Sequence, residues 1–168
     1  MIEENIGRIN GKHGNVDWQP IIYQYRHLSF TQLLTFYTAC QVALVTPLRD
    51  GMNLVAKEFV ASRADRKGVL VLSEMAGAAN ELEMAVIVNP TDIKKLKESI
   101  QQALEMSVKE QARRMMLMQE VVNENNIDNW LKTNSCTPMC SHLRLKIISS
   151  INTKALKNDC FYWIMTVH

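Results

Sequence analysis

An α/β fold, with a parallel sheet carrying helices on its faces, is what this 168-residue sequence predicts. Two observations predict it. Short apolar runs recur at residues 42–46, 69–72 and 85–88, and segments of helical periodicity separate them. Strand and helix alternating at short intervals imply parallel strands, and ligands then bind outside the carboxyl ends of those strands, where a loop meets a helix N-terminus.

The elements follow in chain order. Ile21-Ile22-Tyr23-Gln24-Tyr25, mostly β-branched or aromatic and preceded by Pro20, predicts a strand. Ser29 and Gln32 have capping-box spacing, and Leu28 with Leu33 has the spacing of a hydrophobic staple. Phe30, Leu33, Leu34 and Tyr37 then predict an amphipathic helix over 30–40. Val42 to Thr46, ended by Pro47, reads as a buried parallel strand. A loop through Gly51 leads to a helix from about Asn53 to Ser62. Gly68 precedes the next strand, Val69 to Leu72, and a turn or short helix around Met75 to Ala79 leads to Ala85–Val88. Pro90 and Thr91 open a helix whose apolar face is Ile93, Leu96, Ile100, Ala103 and Leu104. A second capping box, Ser107 and Glu110, starts a long helix running toward Trp130.

Composition narrows the function classes. Hydrophobic residues are 47% and charged residues 21%, ordinary for a globular chain with one core. A net charge of +2, with no basic stripe interleaved with aromatics, argues against nucleic acid as a partner. No apolar run approaches the roughly 20 residues that span a bilayer, and the start Met1-Ile2-Glu3-Glu4-Asn5 is not a secretory signal. Cys40 stands apart from Cys136, Cys140 and Cys160, so no disulfide framework is evident; the expectation is a cytoplasmic protein with free thiols.

Residues 46–58 carry the chemistry. Gly51 permits positive φ and close approach of a ligand to the main chain. The helix after it presents unpaired amides near Asn53 to Val55 at the positive end of its dipole, a site for phosphate oxygens. Asp50 can accept from sugar hydroxyls. Glu58, about one and a half turns into the helix, can clasp a vicinal diol such as a ribose. Phosphate, hexose and ribose together describe a nucleotide sugar. A solvated loop with a surface glutamate is the plain alternative, because many α/β proteins carry such a loop.

The eighteen residues 46–63, TPLRDGMNLVAKEFVASR, resemble the signature of retaining glycosyltransferases of the trehalose-6-phosphate synthase family. Further blocks resemble that family in the same order: 7–12 (GRINGK), 17–20 (DWQP), 68–79 (GVLVLSEMAGAA) and 88–90 (VNP). The resemblance covers about residues 5 to 132 and implies two Rossmann-like domains in the GT-B arrangement, with this chain matching an incomplete C-terminal one. It implies that the aspartate at Asp50 holds a glucose hydroxyl, and that backbone groups at Gly51, Met52 and Asn53 surround the sugar. Amides at Leu54 and Val55 would meet the diphosphate, and Glu58 the ribose. The implied reaction passes glucose from UDP-glucose to glucose 6-phosphate with retention, giving trehalose 6-phosphate and UDP. It needs no metal or other cofactor, because amides and basic side chains stabilise the leaving diphosphate.

The resemblance also implies what is not here. The acceptor site and a catalytic histidine belong to the N-terminal domain, and the Arg and Lys that clamp the diphosphate precede this segment. No catalytic residue is therefore assigned, and the chain is expected to be inactive alone. Residues 1–132 are expected to form the partial donor domain and 133–168 a divergent tail. In that tail Cys136, Cys140 and His142 lack a fourth metal ligand. Its abrupt change of composition favours a frame-shifted or read-through end over a segment that covers exposed sheet. Met115, Met116 and Met118 read as helix packing, Arg113-Arg114 as a solvated face, His13 and His27 as loop residues, and Arg49 and Lys57, which flank the loop, receive no catalytic role. A glucosylglycerol-phosphate synthase, a non-catalytic scaffold and a gene remnant are the competing readings; Asp-Gly-Met-Asn at 50–53 leans toward the trehalose enzyme.

Overall fold

The computed structural model describes residues 2–24, 26–125 and 163–166. The chain divides into two compact units, Met1–Phe30 and Thr31–His168. The boundary expected at 132/133 and Cys136, Cys140 and His142 fall outside the described residues, and the last helix, expected to run toward Trp130, ends at Glu124 with Asn125 as its C-cap.

In the first unit, helix α1 spans Ile2–His13. It places His13 at a helix end, not in a loop. The expected strand at 21–25 does not form over the described residues. Its backbone has a side-chain partner instead: Asn10 Nδ2 donates to the Ile21 carbonyl at 2.8 Å, and Asn10 Oδ1 accepts from the Ile21 amide at 3.0 Å. One carboxamide thus takes the place of a neighbouring strand. Asn15 Oδ1 closes the preceding turn, accepting from the amides of Asp17 and Trp18.

The second unit carries the sheet. Helix α2 spans Phe30–Ala39, β1 Val42–Val45, α3 Leu54–Ser62 and β2 Val69–Ser73. A short 3-10 turn covers Gly77–Asn80, followed by β3 at Val86–Val88, α4 at Ile93–Glu105 and α5 at Val108–Glu124. Strand β4 spans Trp163–Thr166. The sheet order is β3-β2-β1-β4, every pairing parallel, with Val42 opposite Val69 and Val71 opposite Val86. The parallel, helix-flanked sheet expected from the apolar runs is therefore present. The tail also supplies a strand: Trp163–Thr166 pairs in parallel with β1.

Strand side chains alternate between the two faces. Ala43, Val45, Leu70 and Leu72 pack with Tyr37, Ala56, Phe59, Val60, Met115 and Met118. On the other face Val42, Leu44, Val69, Val71, Val86 and Val88 meet Ala103, with Leu96, Ile100 and Met106. Helices α2, α3 and α5 therefore cover one face and α4 the other. Of the five apolar residues expected on α4, Ile93 and Leu104 lie on the flanks of the stripe and stay exposed. Met115 and Met118 are core residues, as helix packing requires.

Candidate functional site

The loop from Thr46 to Asn53 joins the carboxyl end of β1 to the N-terminus of α3. It is braced against the loop that leaves the carboxyl end of β2. The Gly77 amide donates to the Asp50 carbonyl at 2.9 Å, the Ala78 amide to the Met52 carbonyl at 2.7 Å, and the Asp50 amide to the Met75 carbonyl at 3.3 Å. A β-carbon on Gly77 would run into the Gly51 carbonyl, so this approach of two main chains requires glycine. Among the described residues nothing stands within 4 Å of where a β-carbon on Gly51 would be.

Asp50, Met52 and Asn53 form one knot. Asp50 Oδ1 accepts from the Met52 amide at 3.1 Å, and Oδ2 accepts from Asn53 Nδ2 at 2.8 Å. Asn53 Oδ1 accepts from the Ala56 amide at 2.9 Å, which makes Asn53 the N-cap of α3. The left-handed backbone assigned in sequence to Gly51 belongs instead to Asn53, at φ 73°. Capping by itself does not demand it, since Asp92 and Ser107 cap α4 and α5 at φ −92° and −63°; asparagine tolerates the left-handed conformation better than most residues.

Capping by Asn53 satisfies the Ala56 amide and leaves the first amides of the helix, Leu54 and Val55, without an intrahelical partner. Among the described residues no recorded hydrogen bond takes them. These donors and the dipole form a positive end facing the loop. Glu58 lies one turn further along α3, exposed, with Oε2 accepting from the Tyr37 hydroxyl at 3.1 Å. Asp50, Gly51, Met52, Asn53, Leu54, Val55 and Glu58 thus all lie on the loop after β1 and the first turns of α3, at the carboxyl end of the sheet.

Four features were missed in sequence. Lys57 binds both carboxylate oxygens of Glu81, at 2.8 and 2.9 Å, and Asn125 Nδ2 donates to the same carboxylate at 3.0 Å. Gly77 lies inside the quoted 68–79 block, but its partner Gly51 is distant in sequence. Tyr37 was read only as part of an apolar face. Arg114, beyond its pairing with Glu110, also donates to the Met84 carbonyl at 3.2 Å, so it is more than a solvated residue.

The model of glycosyltransferase family 20 matches residues 1–137. A bifunctional trehalose-6-phosphate synthase/phosphatase of Thermoproteus tenax is 50% identical over 130 residues, 77% of this chain and 18% of that protein. A glucosylglycerol-phosphate synthase of Picosynechococcus is 46% identical over 129 residues, 77% of this chain and 26% of that protein. Among solved structures, the E. coli trehalose-6-phosphate protein bound with UDP-2-fluoro glucose aligns with a TM-score of 0.76 and 45% identity, over 80% of this chain and 30% of that one. An α,α-trehalose-phosphate synthase (UDP-forming) from Burkholderia xenovorans, in complex with glucose-6-phosphate, aligns with the same TM-score and 43% identity, again over 80% and 30%. The chain therefore spans less than a third of the length of these relatives. On the family match and these identities together, the chain belongs to glycosyltransferase family 20.

Proposed function

We propose that this chain is the donor-binding part of a trehalose-6-phosphate synthase, and that the loop after β1 and the first turn of α3 hold UDP-glucose. The observation that carries the reading is the knot of Asp50 and Asn53 at a helix N-terminus whose Leu54 and Val55 amides point at the loop, with Glu58 one turn away. In this reading Asp50 accepts from a glucose hydroxyl, and the main chain at Gly51, Met52 and Asn53 surrounds the sugar. The amides of Leu54 and Val55 receive the diphosphate, and Glu58 accepts from the ribose diol.

The reaction is transfer of glucose from UDP-glucose to glucose 6-phosphate with retention. As the glycosidic bond to the diphosphate breaks, negative charge gathers on the departing phosphate oxygens. Fixed amides at the helix N-terminus stabilise that charge as it develops, which is why the proposal includes no metal or cofactor. The related structures holding UDP-2-fluoro glucose and glucose-6-phosphate support these two substrates. The acceptor and the groups that handle it lie in the remaining length of the enzyme. A cytoplasmic setting suits this reading, given the cysteine usage; among the described residues no helix is long and apolar enough to cross a membrane.

The test is calorimetric titration of the 168-residue chain with UDP, alongside Glu58→Ala. UDP binds the wild type, and the variant binds about tenfold more weakly, the loss expected for a hydrogen-bonded carboxylate. The chain alone forms no trehalose 6-phosphate from UDP-glucose and glucose 6-phosphate. A folded chain indifferent to UDP, or an unchanged affinity in Glu58→Ala, refutes the assignment.

A further inference from the structure

The carboxylate of Glu58 is exposed, yet it is held from behind by a buried group. Tyr37, on α2, is 2% exposed and donates its hydroxyl to Glu58 Oε2 at 3.1 Å. Among the described residues no other hydrogen bond holds this carboxylate, so within them Oε1 has no partner. Left to itself, a glutamate on a helix surface samples several rotamers, and ordering it costs affinity when a ligand binds.

Tyr37 is itself fixed from two directions. Its ring meets Phe59 edge to face, with centroids 6.3 Å apart and planes at 76°. Phe59 is fully buried and carries the Arg63 guanidinium 5.8 Å from its ring centre. The same guanidinium takes hold of the end of α2: Arg63 Nη1 donates to the carbonyls of Tyr37 at 2.9 Å, Thr38 at 2.6 Å and Cys40 at 3.1 Å. The ring and the backbone of Tyr37 therefore have little freedom, and its hydroxyl is held toward Glu58. Burial, followed by the charge of Glu58, pushes the phenol above its ordinary range, so it stays a hydrogen-bond donor.

From this geometry we infer that Tyr37 is a positioning residue for donor binding: its hydroxyl holds one oxygen of Glu58 so that the other is presented to the ribose diol. The inference rests on the proposed role of Glu58 and adds to it a residue that never touches the ligand. Its consequence is selective. Losing the hydroxyl weakens only ligands that carry ribose hydroxyls, whereas a purely structural role weakens all ligands alike.

The experiment titrates the 168-residue chain with UDP and with 2′,3′-dideoxy-UDP in wild type, Tyr37→Phe, Glu58→Ala and the double variant. Phenylalanine keeps the ring contact with Phe59, and circular dichroism checks the fold. Tyr37→Phe weakens UDP about three- to tenfold, the share of one hydrogen bond, and leaves dideoxy-UDP unchanged. In the Glu58→Ala background the same change has no effect on UDP. Equal weakening of both nucleotides, or an unchanged UDP affinity while Glu58→Ala still weakens it, overturns the role of Tyr37 and leaves the donor site standing. No UDP binding by the wild type, or no effect of Glu58→Ala, overturns the donor-site reading and this inference with it.

Discussion

Asn53 meets three demands at once. It holds φ at 73°, it caps α3 through Oδ1, and its Nδ2 ties down the Asp50 carboxylate. Alanine at this position would lose the cap, about 1 kcal/mol, and would bear left-handed strain of roughly 1–2 kcal/mol. Asn53→Ala is therefore expected to lower stability by about 2–3 kcal/mol in urea titration, and Asn53→Gly by less, since glycine accepts the backbone at little cost. Equal losses in the two variants would show that backbone strain plays no part. This is also where sequence reading reached its limit at the site. The loop, the helix start and the acids were legible from Asp50-Gly51-Met52-Asn53, but the left-handed position was given to the glycine. Both residues tolerate such backbone, and nothing in the sequence decides between them. The contact of Tyr37 with Glu58 was beyond reach for a different reason, because it joins two helices 21 residues apart and depends on their packing.

Helix α5 shows how an end can be half legible. Ser107 caps it as its spacing required, accepting from the Glu110 amide at 3.4 Å. The reciprocal half of the capping box is replaced: the Glu110 carboxylate binds Arg113 at 2.8 and 2.7 Å and Arg114 at 2.7 Å. Those hydrogen bonds, from Arg113 first and Arg114 second, hold the Glu110 pKa down to about 2 from an ordinary 4.5. A carboxyl group whose pKa falls on folding contributes stability above its unfolded value and loses it as pH drops through the folded one. The chain is thus expected to lose stability as pH falls from 4.5 toward 2, with Glu110→Gln flattening that part of the urea midpoint against pH. Because the pair is on the surface, added salt shrinks the difference. A variant whose curve matches the wild type would remove the ion pairs as the cause. Helix α1, by contrast, was not legible: Gly7 and Gly11 depress helix propensity in its interior, and none of its residues is buried to show an apolar stripe.

Across the whole molecule, the central strands were legible because β1 and β2 are buried along their whole length on both faces, which makes each an unbroken apolar run. Strand β4 was not, because a tail of changed composition offered no alternation with a helix to place it. Its pairing sets Val42 to Val45 opposite Trp163 to Thr166 in a parallel ladder and turns β1 into an inner strand. Without those four residues, β1 would be the edge of the sheet, presenting Val-Ala-Leu-Val with a row of open backbone donors and acceptors. Such an edge pairs readily with another chain. Removal of residues 163–168 is therefore expected to expose the β1 amides to exchange, to lower the thermal midpoint by about 2–4 °C for each kcal/mol lost, and to promote self-association visible by light scattering as concentration rises. The comparison is made against the full 168-residue chain at equal concentration. A shortened chain that stays monomeric, with unchanged midpoint and unchanged protection at Val42–Val45, would mean that β4 adds nothing to the sheet in solution. If protection is lost without self-association, the β1 backbone has exchanged a strand for water alone.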